Sequence, residues 1–259
     1  MTYTGIFDTH AHYDDECFDE DRFELLDEML ASNVSGIINC GCTVKSSETS
    51  IEFAERYSKI YAAVGIHPQN AAEEADDALK KIEKLAKHER VVAIGEIGLD
   101  YHYDYTPKEM QVEYFEKQIL LAKKLDLPVI VHDREAHQDC VDMLLKHKPG
   151  GVMHCFSGSV ETAKQLTDIG FYIGLGGSVT FKNAKKPAEV AASISLSRLL
   201  LETDCPYMTP VPFRGKRNNS SLIVHTAEKI AELRGITAQE VIDSARKNAN
   251  RLFGTDIKG

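Results

Sequence analysis

Eight short apolar runs recur along this chain, and they leave few folds open to it. They are GIFDTH (5–10), GIINCG (36–41), IYAAVGIH (60–67), VVAIGE (91–96), PVIVHD (128–133), GVMHCF (151–156), FYIGLGG (171–177) and LLLETD (199–204). Each is nearly continuous rather than alternating, as in strands covered on both faces. Helical signals lie between them. Phe23, Leu26 and Leu30 recur at helical spacing, as do Phe115, Ile119 and Ala122 in a segment opened by Thr106-Pro107. Ile223, Ala227 and Ile230 mark another helix. The last stretch, TAQEVIDSARKNANRLFG, opens on a capping box at Thr237 and Glu240 and stops at Gly254. Eight strands alternating with helices in 259 residues predict an α/β fold, the (β/α)8 TIM barrel. The rival, an open doubly wound sheet, more often carries a glycine-rich phosphate loop after its first strand, and GIFDTHAH is not one.

No Ser/Gly/Pro-rich linker, low-complexity stretch or charge block divides the chain, so residues 1–259 read as a single domain. A hydrophobic content of 43% suffices for one large core. The N-terminus shows no basic segment followed by an apolar run, so no signal peptide is expected. RVVAIGEIGL is too short to span a bilayer, and no membrane association is expected. Cysteines 17, 40, 42, 140, 155 and 205 are scattered without paired zinc-knuckle spacing, which fits reduced thiols and a cytoplasmic location. The net charge of −10 argues against extended non-specific binding to duplex DNA, although a bound cation can still dominate the charge of a cleft.

Polar groups stand at the C-terminal ends of most runs: His10 and His12, His67, Glu96, His132, His154 and Asp204. His10 and His12 are two apart on a strand and share a face. In a barrel these ends form one rim, where active sites of the fold lie. Ionisable groups crowded together without partners are costly, and divalent cations make them mutually favourable. His10, His12, Glu96, His132, His154 and Asp204 are too many for one open catalytic zinc site. They suit two metal ions bridged by Glu96. One would be held by His10, His12, Glu96 and Asp204, the other by Glu96, His132 and His154.

The motifs FDTHAH, VGIHP, AIGEIGLDY, PVIVHDREA, GGVMHCFSGS, LLLETDCPY and RGKRN, in this order from residue 7 to about 253, resemble those of the TatD family of metal-dependent deoxyribonucleases. The resemblance implies a TIM barrel, one or two divalent cations with magnesium expected, and 3′→5′ exonuclease action on single-stranded DNA. It implies the same six ligands. One departure is RGKRNNSS, with Ser220 where family members commonly have proline, which leaves the shape of that loop open. Gln69, after His67-Pro68, often corresponds to histidine in relatives.

Two cations about 4 Å apart would polarise a phosphoryl oxygen and lower the pKa of a bound water. Asp204 and Glu96 are the expected catalytic residues, with Asp204 both holding metal and accepting a proton. His67, Arg214, Arg134 and Ser157 are expected substrate contacts, arginine being suited to bidentate phosphate recognition. Lys216 and Arg217 add local positive charge. Asp8 and Glu202 lie two residues before metal-site candidates and are expected to orient them. Four imidazoles favour zinc, nickel or manganese over magnesium. A hydrolase of a small ester, amide or lactone is the nearest alternative, although no strand end supplies a lysine for a carboxylated bridge. A metal-binding protein without catalysis is a further one. No protein partner is inferable.

Overall fold

The computed structural model describes residues 3–259. Eight strands form one sheet in chain order. They are β1 Ile6–Ala11, β2 Val34–Cys40, β3 Ile60–Val64, β4 Val91–Asp100, β5 Val129–Arg134, β6 Gly151–Met153, β7 Tyr172–Leu175 and β8 Leu199–Leu201. Every neighbouring pair from β1–β2 to β7–β8 is parallel. Between and after them run α1 Arg22–Ala31, α2 Val44–Arg56, α3 Ala78–Leu85, α4 Lys108–Leu125, α5 His137–His147, α6 Val160–Asp168, α7 Lys185–Ser193, α8 Ile223–Arg234 and α9 Ala238–Phe253. This is the expected (β/α)8 barrel.

The local signals act largely as read. Thr237 and Glu240 cap α9 reciprocally, and Gly254 ends it in the left-handed conformation at φ 66°. Pro107 sits at the N-cap of α4 rather than inside its first turn. On α1 the buried face is Leu26, Met29 and Leu30. Phe23, expected on that face, is instead exposed at the helix start, under the Arg56 guanidinium at 3.9 Å.

Inside the barrel lies an apolar layer that includes Phe7, Ile38, Ala63, Ile130, Val152, Tyr172 and Leu200. Phe253 and Ile257, from the end of α9 and the tail, join it and close the N-terminal side. Ile130 and His132, Val152 and His154, and Leu200 and Glu202 are each two residues apart along extended chain. The residue that floors the barrel therefore places a polar group above it, toward the C-terminal rim.

Strand ends differ from the apolar runs. β6 and β8 are three residues each, so His154 and Asp204 lie just beyond them. β4 instead continues past Glu96 to Asp100, because Gly98, Leu99 and Asp100 pair with His132, Asp133 and Arg134. Gly98 makes this approach possible. Its φ is 143°, and a Cβ there would stand 2.0 Å from the carbonyl oxygen of His132.

The junction of β8 with β1 is the least regular. A single bridge, Ala11 with Cys205, joins their extensions, so the barrel is nearly closed. Side chains complete the seam. Thr9 Oγ1 donates to the Leu201 carbonyl at 3.0 Å. Asp8 is fully buried, and its carboxylate accepts from His10 N (3.2 Å), Thr203 N (3.0 Å), Thr203 Oγ1 (2.6 Å) and Ser220 Oγ (2.7 Å). Ser220 thus turns toward the seam. Its N–H donates to Tyr13 Oη at 2.9 Å, a bond proline could not make.

Ser220→Ala removes one donor from a buried carboxylate, which should cost about 1–3 kcal/mol. Denaturant unfolding measures it. An unchanged midpoint would show that Ser220 does not support the seam.

Candidate metal centre

Glu96 is the hub of the rim. Its side chain is 4% exposed, and its two oxygens face different partners. Oε2 lies 3.3 Å from His10 Nε2 and 3.5 Å from His12 Nε2. Oε1 lies 2.8 Å from both His132 Nδ1 and His154 Nε2. Asp204 Oδ1 completes the first group, 3.7 Å from His10 Nε2 and 3.5 Å from His12 Nε2. The structure therefore brings His10, His12, Glu96, His132, His154 and Asp204 together: His10, His12 and Glu96 form one candidate metal-holding group and Glu96, His132 and His154 another, while Asp204 also groups with His10 and His154, and His67, Asp100 and His132 form a further one. In a tetrahedral site with bonds near 2.0–2.1 Å, neighbouring ligand atoms stand roughly 3.3–3.4 Å apart, close to the spacings around Oε2, whereas the 2.8 Å contacts at Oε1 are hydrogen-bond distances.

The nitrogens facing away orient the rings. His12 Nδ1 lies 3.0 Å from the Cys40 carbonyl, which can only accept, so Nδ1 carries a proton and Nε2 faces the centre. His132 Nε2 donates to Asp100 Oδ2 at 3.2 Å, which turns its Nδ1 toward Glu96. His10 Nδ1 contacts Cys40 Sγ at 3.5 Å. Burial, reinforced by the His154 imidazole, lowers the His10 pKa to about 4 and keeps that ring neutral. His10 Nε2 and His12 Nε2 face each other at 3.0 Å. Ring nitrogens with acceptors behind them are the usual support of metal-binding histidines, and the donor set fits divalent cations.

Burial disfavours charge on Glu96, but the imidazoles of His154, His10 and His67 outweigh it and hold the carboxyl well below its usual range. Burial also lowers His132, yet Asp100 and Glu96 prevail and raise it to about 9. Asp204 adopts φ 57°, a left-handed conformation that aspartate tolerates better than most residues. Its N–H donates to the His10 carbonyl at 2.9 Å, which ties this strained residue to β1.

The other expected contacts divide. His67 faces the rim, with Nε2 3.8 Å from Glu96 Oε1. Its Nδ1 accepts from Gln69 N–H at 3.2 Å, so the proton is on Nε2, aimed into the site. Burial lowers its pKa to about 3, and the ring is a neutral donor. Arg134 lies at the end of β5 but turns to Tyr103, its guanidinium 4.9 Å from the ring centre. Arg214 rests on Phe181 at 3.9 Å, with Nη1 3.4 Å from the Thr209 carbonyl. Ser157 is exposed in the loop after β6, and Lys216 is exposed in the loop after β8. Arg217 is paired with Asp21 and the Cys17 carbonyl, both at 2.8 Å, which ties down the loop after β8. Asp8 reaches the His10 backbone rather than its ring. Glu202 lies 3.8 Å from His154 Nδ1 and accepts from Cys155 N–H. Burial raises its carboxyl to about 8.

Sequence reasoning missed Asp100. The signal is present in AIGEIGLDY, as a carboxylate four residues past Glu96, but it lies beyond the apolar run that stops at Glu96. It also missed Asn218, buried with its Nδ2 on the carbonyls of Thr203 (3.0 Å) and Tyr207 (2.7 Å). All six cysteines are free, and no helix among the described residues is long and apolar enough to cross a membrane.

Residues 7–254 match the family model of TatD related DNases. The chain is 47% identical over 251 residues to the uncharacterized metal-dependent hydrolase YabD of Bacillus subtilis strain 168, covering 96% of this chain and 98% of that one. It is 33% identical to the 3′-5′ ssDNA/RNA exonuclease TatD of Cronobacter sakazakii, covering 96% and 97%. The crystal structure of YjjV, a TatD homologue from Escherichia coli K12, superposes with a TM-score of 0.91 at 34% identity, covering 97% and 98%.

Asp100→Ala frees the His132 ring and should weaken divalent-cation binding about 10–100-fold while the barrel stays folded. Titration calorimetry of metal-stripped protein measures it. Unchanged affinity would remove Asp100 from the support of this centre.

Proposed function

The chain belongs to the TatD related DNase family and is a metal-dependent hydrolase, and on that premise we propose that it cleaves phosphodiester bonds in DNA, removing nucleotides from the 3′ ends of single strands. The observation that carries the reading is the division of Glu96 between two groups, Oε2 toward His10 and His12 and Oε1 toward His132 and His154. The first group with Asp204 would hold one divalent cation, and the second would hold another. When bound, the cations supply Lewis acidity toward a phosphoryl oxygen and toward water. The metal is Mg²⁺ on the family resemblance, whereas the four imidazoles suit Zn²⁺, Mn²⁺ or Ni²⁺.

The chain's own groups have separate tasks. Burial works against charge on Asp204, but its hydrogen bond to His12 and the surrounding imidazoles hold its pKa below the usual value. It is therefore an ionised carboxylate. With Oδ1 toward the histidines, Oδ2 can take the proton of the attacking water. His67 presents Nε2–H to a non-bridging phosphate oxygen without adding charge. Polarity and strand preference are supported by the name of the Cronobacter relative, an exonuclease on single-stranded DNA and RNA.

The experiment is a time course with a 5′-labelled single-stranded oligonucleotide and metal-stripped protein, to which Mg²⁺, Mn²⁺ or Zn²⁺ is restored. A descending one-nucleotide ladder is expected with at least one ion. Absence of cleavage with every ion, from protein shown to rebind metal, would overturn the nuclease reading and leave a small-molecule hydrolase on the same scaffold. Asp204→Asn should cut turnover at least about 100-fold without unfolding the barrel. Full activity of that variant would contradict its role as proton acceptor.

A further inference from the structure

The loop that follows β4, residues 101–107, is YHYDYTP. It displays two large aromatic rings at the rim. Tyr103 is 41% exposed and Tyr105 is 69% exposed. Their rings are parallel to within 6°, with centres 5.4 Å apart. Two stacked rings in water bring the fold little burial, yet the chain commits several buried polar groups to holding this loop in place. Gln69 Nε2 donates to the carbonyls of Asp100 (2.8 Å) and Tyr103 (3.0 Å). Gln111 Nε2 donates to the carbonyls of Asp100 and Thr106, both at 3.0 Å. Asp100 Oδ1 accepts from the backbone N–H of His102 at 2.9 Å and of Tyr103 at 3.4 Å. Its other oxygen, Oδ2, is the one that holds His132. One carboxylate thus positions both a candidate metal-binding imidazole and the base of the aromatic pair.

The chemistry of the patch selects its occupant. Arg134, two residues beyond His132 on β5, lays its guanidinium over Tyr103 and directs Nη1 to the Tyr103 hydroxyl at 3.4 Å. A planar cation against stacked tyrosines favours flat, polarisable rings. The surrounding charges disfavour phosphate. Asp104 is exposed between the tyrosines, and exposed Glu135 pairs with His102 at 2.7 Å. A ligand here is recognised by its ring faces rather than its backbone. Nucleobases have such faces, and they are free in a single strand but stacked away in a duplex.

We propose that Tyr103 and Tyr105, backed by Arg134, form a stacking platform for unpaired nucleobases of a single-stranded polynucleotide led into the metal centre. The proposal rests on the nucleic-acid reading above and names the surface that would give it single-strand preference. It needs no sequence readout, because every base offers a π face.

The test separates binding from cleavage. The probe is a single-stranded oligonucleotide carrying 2-aminopurine near its 3′ end, with phosphorothioate linkages there to resist hydrolysis. A matched oligonucleotide is abasic at the same positions. Wild-type protein should quench the 2-aminopurine fluorescence. The pair Tyr103→Ala, Tyr105→Ala should bind the base-bearing probe about tenfold more weakly and lose the quenching. Tyr103→Phe, Tyr105→Phe should stay within about twofold of wild type, and the abasic probe should bind wild type and the alanine pair alike. Equal binding of the base-bearing probe by wild type and the alanine pair would overturn the platform. So would a loss of affinity that is the same for the abasic probe. Cleavage of an unmodified oligonucleotide, measured separately, tests the nuclease reading. Quenching without cleavage keeps the platform and removes that reading. Cleavage with unchanged binding by the alanine pair does the reverse, and a wild-type protein that neither binds nor cleaves removes both.

Discussion

The centre of this molecule is organised by one buried carboxylate. Glu96 sits among five imidazoles, those of His10 and His12 at one oxygen and those of His132, His154 and, at 3.8 Å, His67 at the other. A lone ionised carboxylate is expensive to bury. Here neighbouring groups favour its charge, and the acceptors behind His12 and His132 fix those rings with one nitrogen facing it. The arrangement is consistent as a receptacle for positive charge and inconsistent as an ordinary polar core. The barrel supplies the rest, because a sheet curled into a nearly closed barrel places strands one, four, five, six and eight around a single point.

The seam that closes the barrel lies beside the same centre. β1 and β8 meet through one bridge and a set of side-chain bonds gathered on Asp8. Asp8 grips the backbone of His10 and of Thr203, and Thr203 adjoins Asp204. The polar groups that replace a regular ladder therefore also determine where His10 and Asp204 stand. Ser220, Tyr13 and Asn218 belong to this construction, so the loop after β8 is anchored from within while its basic residues face outward.

Much of this was legible in the sequence, and the parts that were not have physical reasons. Continuous apolar runs announce strands buried on both faces, and polar residues at their ends mark the rim. That logic located all six groups now clustered at Glu96. It failed at β4, where Glu96 interrupts the apolar pattern that Ile97 and Leu99 resume. β4 runs on through Gly98 to Asp100 because β5 pairs with it, and pairing is a tertiary fact. The same limit concealed the partners of arginine. Arg217 reads as free positive charge near the site, yet Asp21, almost two hundred residues earlier, claims it. Asp8 shares a motif with His10, which suggests a contact with the ring. Its carboxylate instead binds backbone across the seam, and no spacing rule encodes a strand eight that returns beside strand one.

The central claim is that Glu96 serves two cations at once, one at each oxygen. The most direct measurement is an anomalous difference map from crystals grown with Mn²⁺. Two peaks are expected, one shared by Glu96 Oε2, His10, His12 and Asp204, and one shared by Glu96 Oε1, His132 and His154. A single peak under saturating Mn²⁺, or peaks that leave either Glu96 oxygen unshared, would contradict the account.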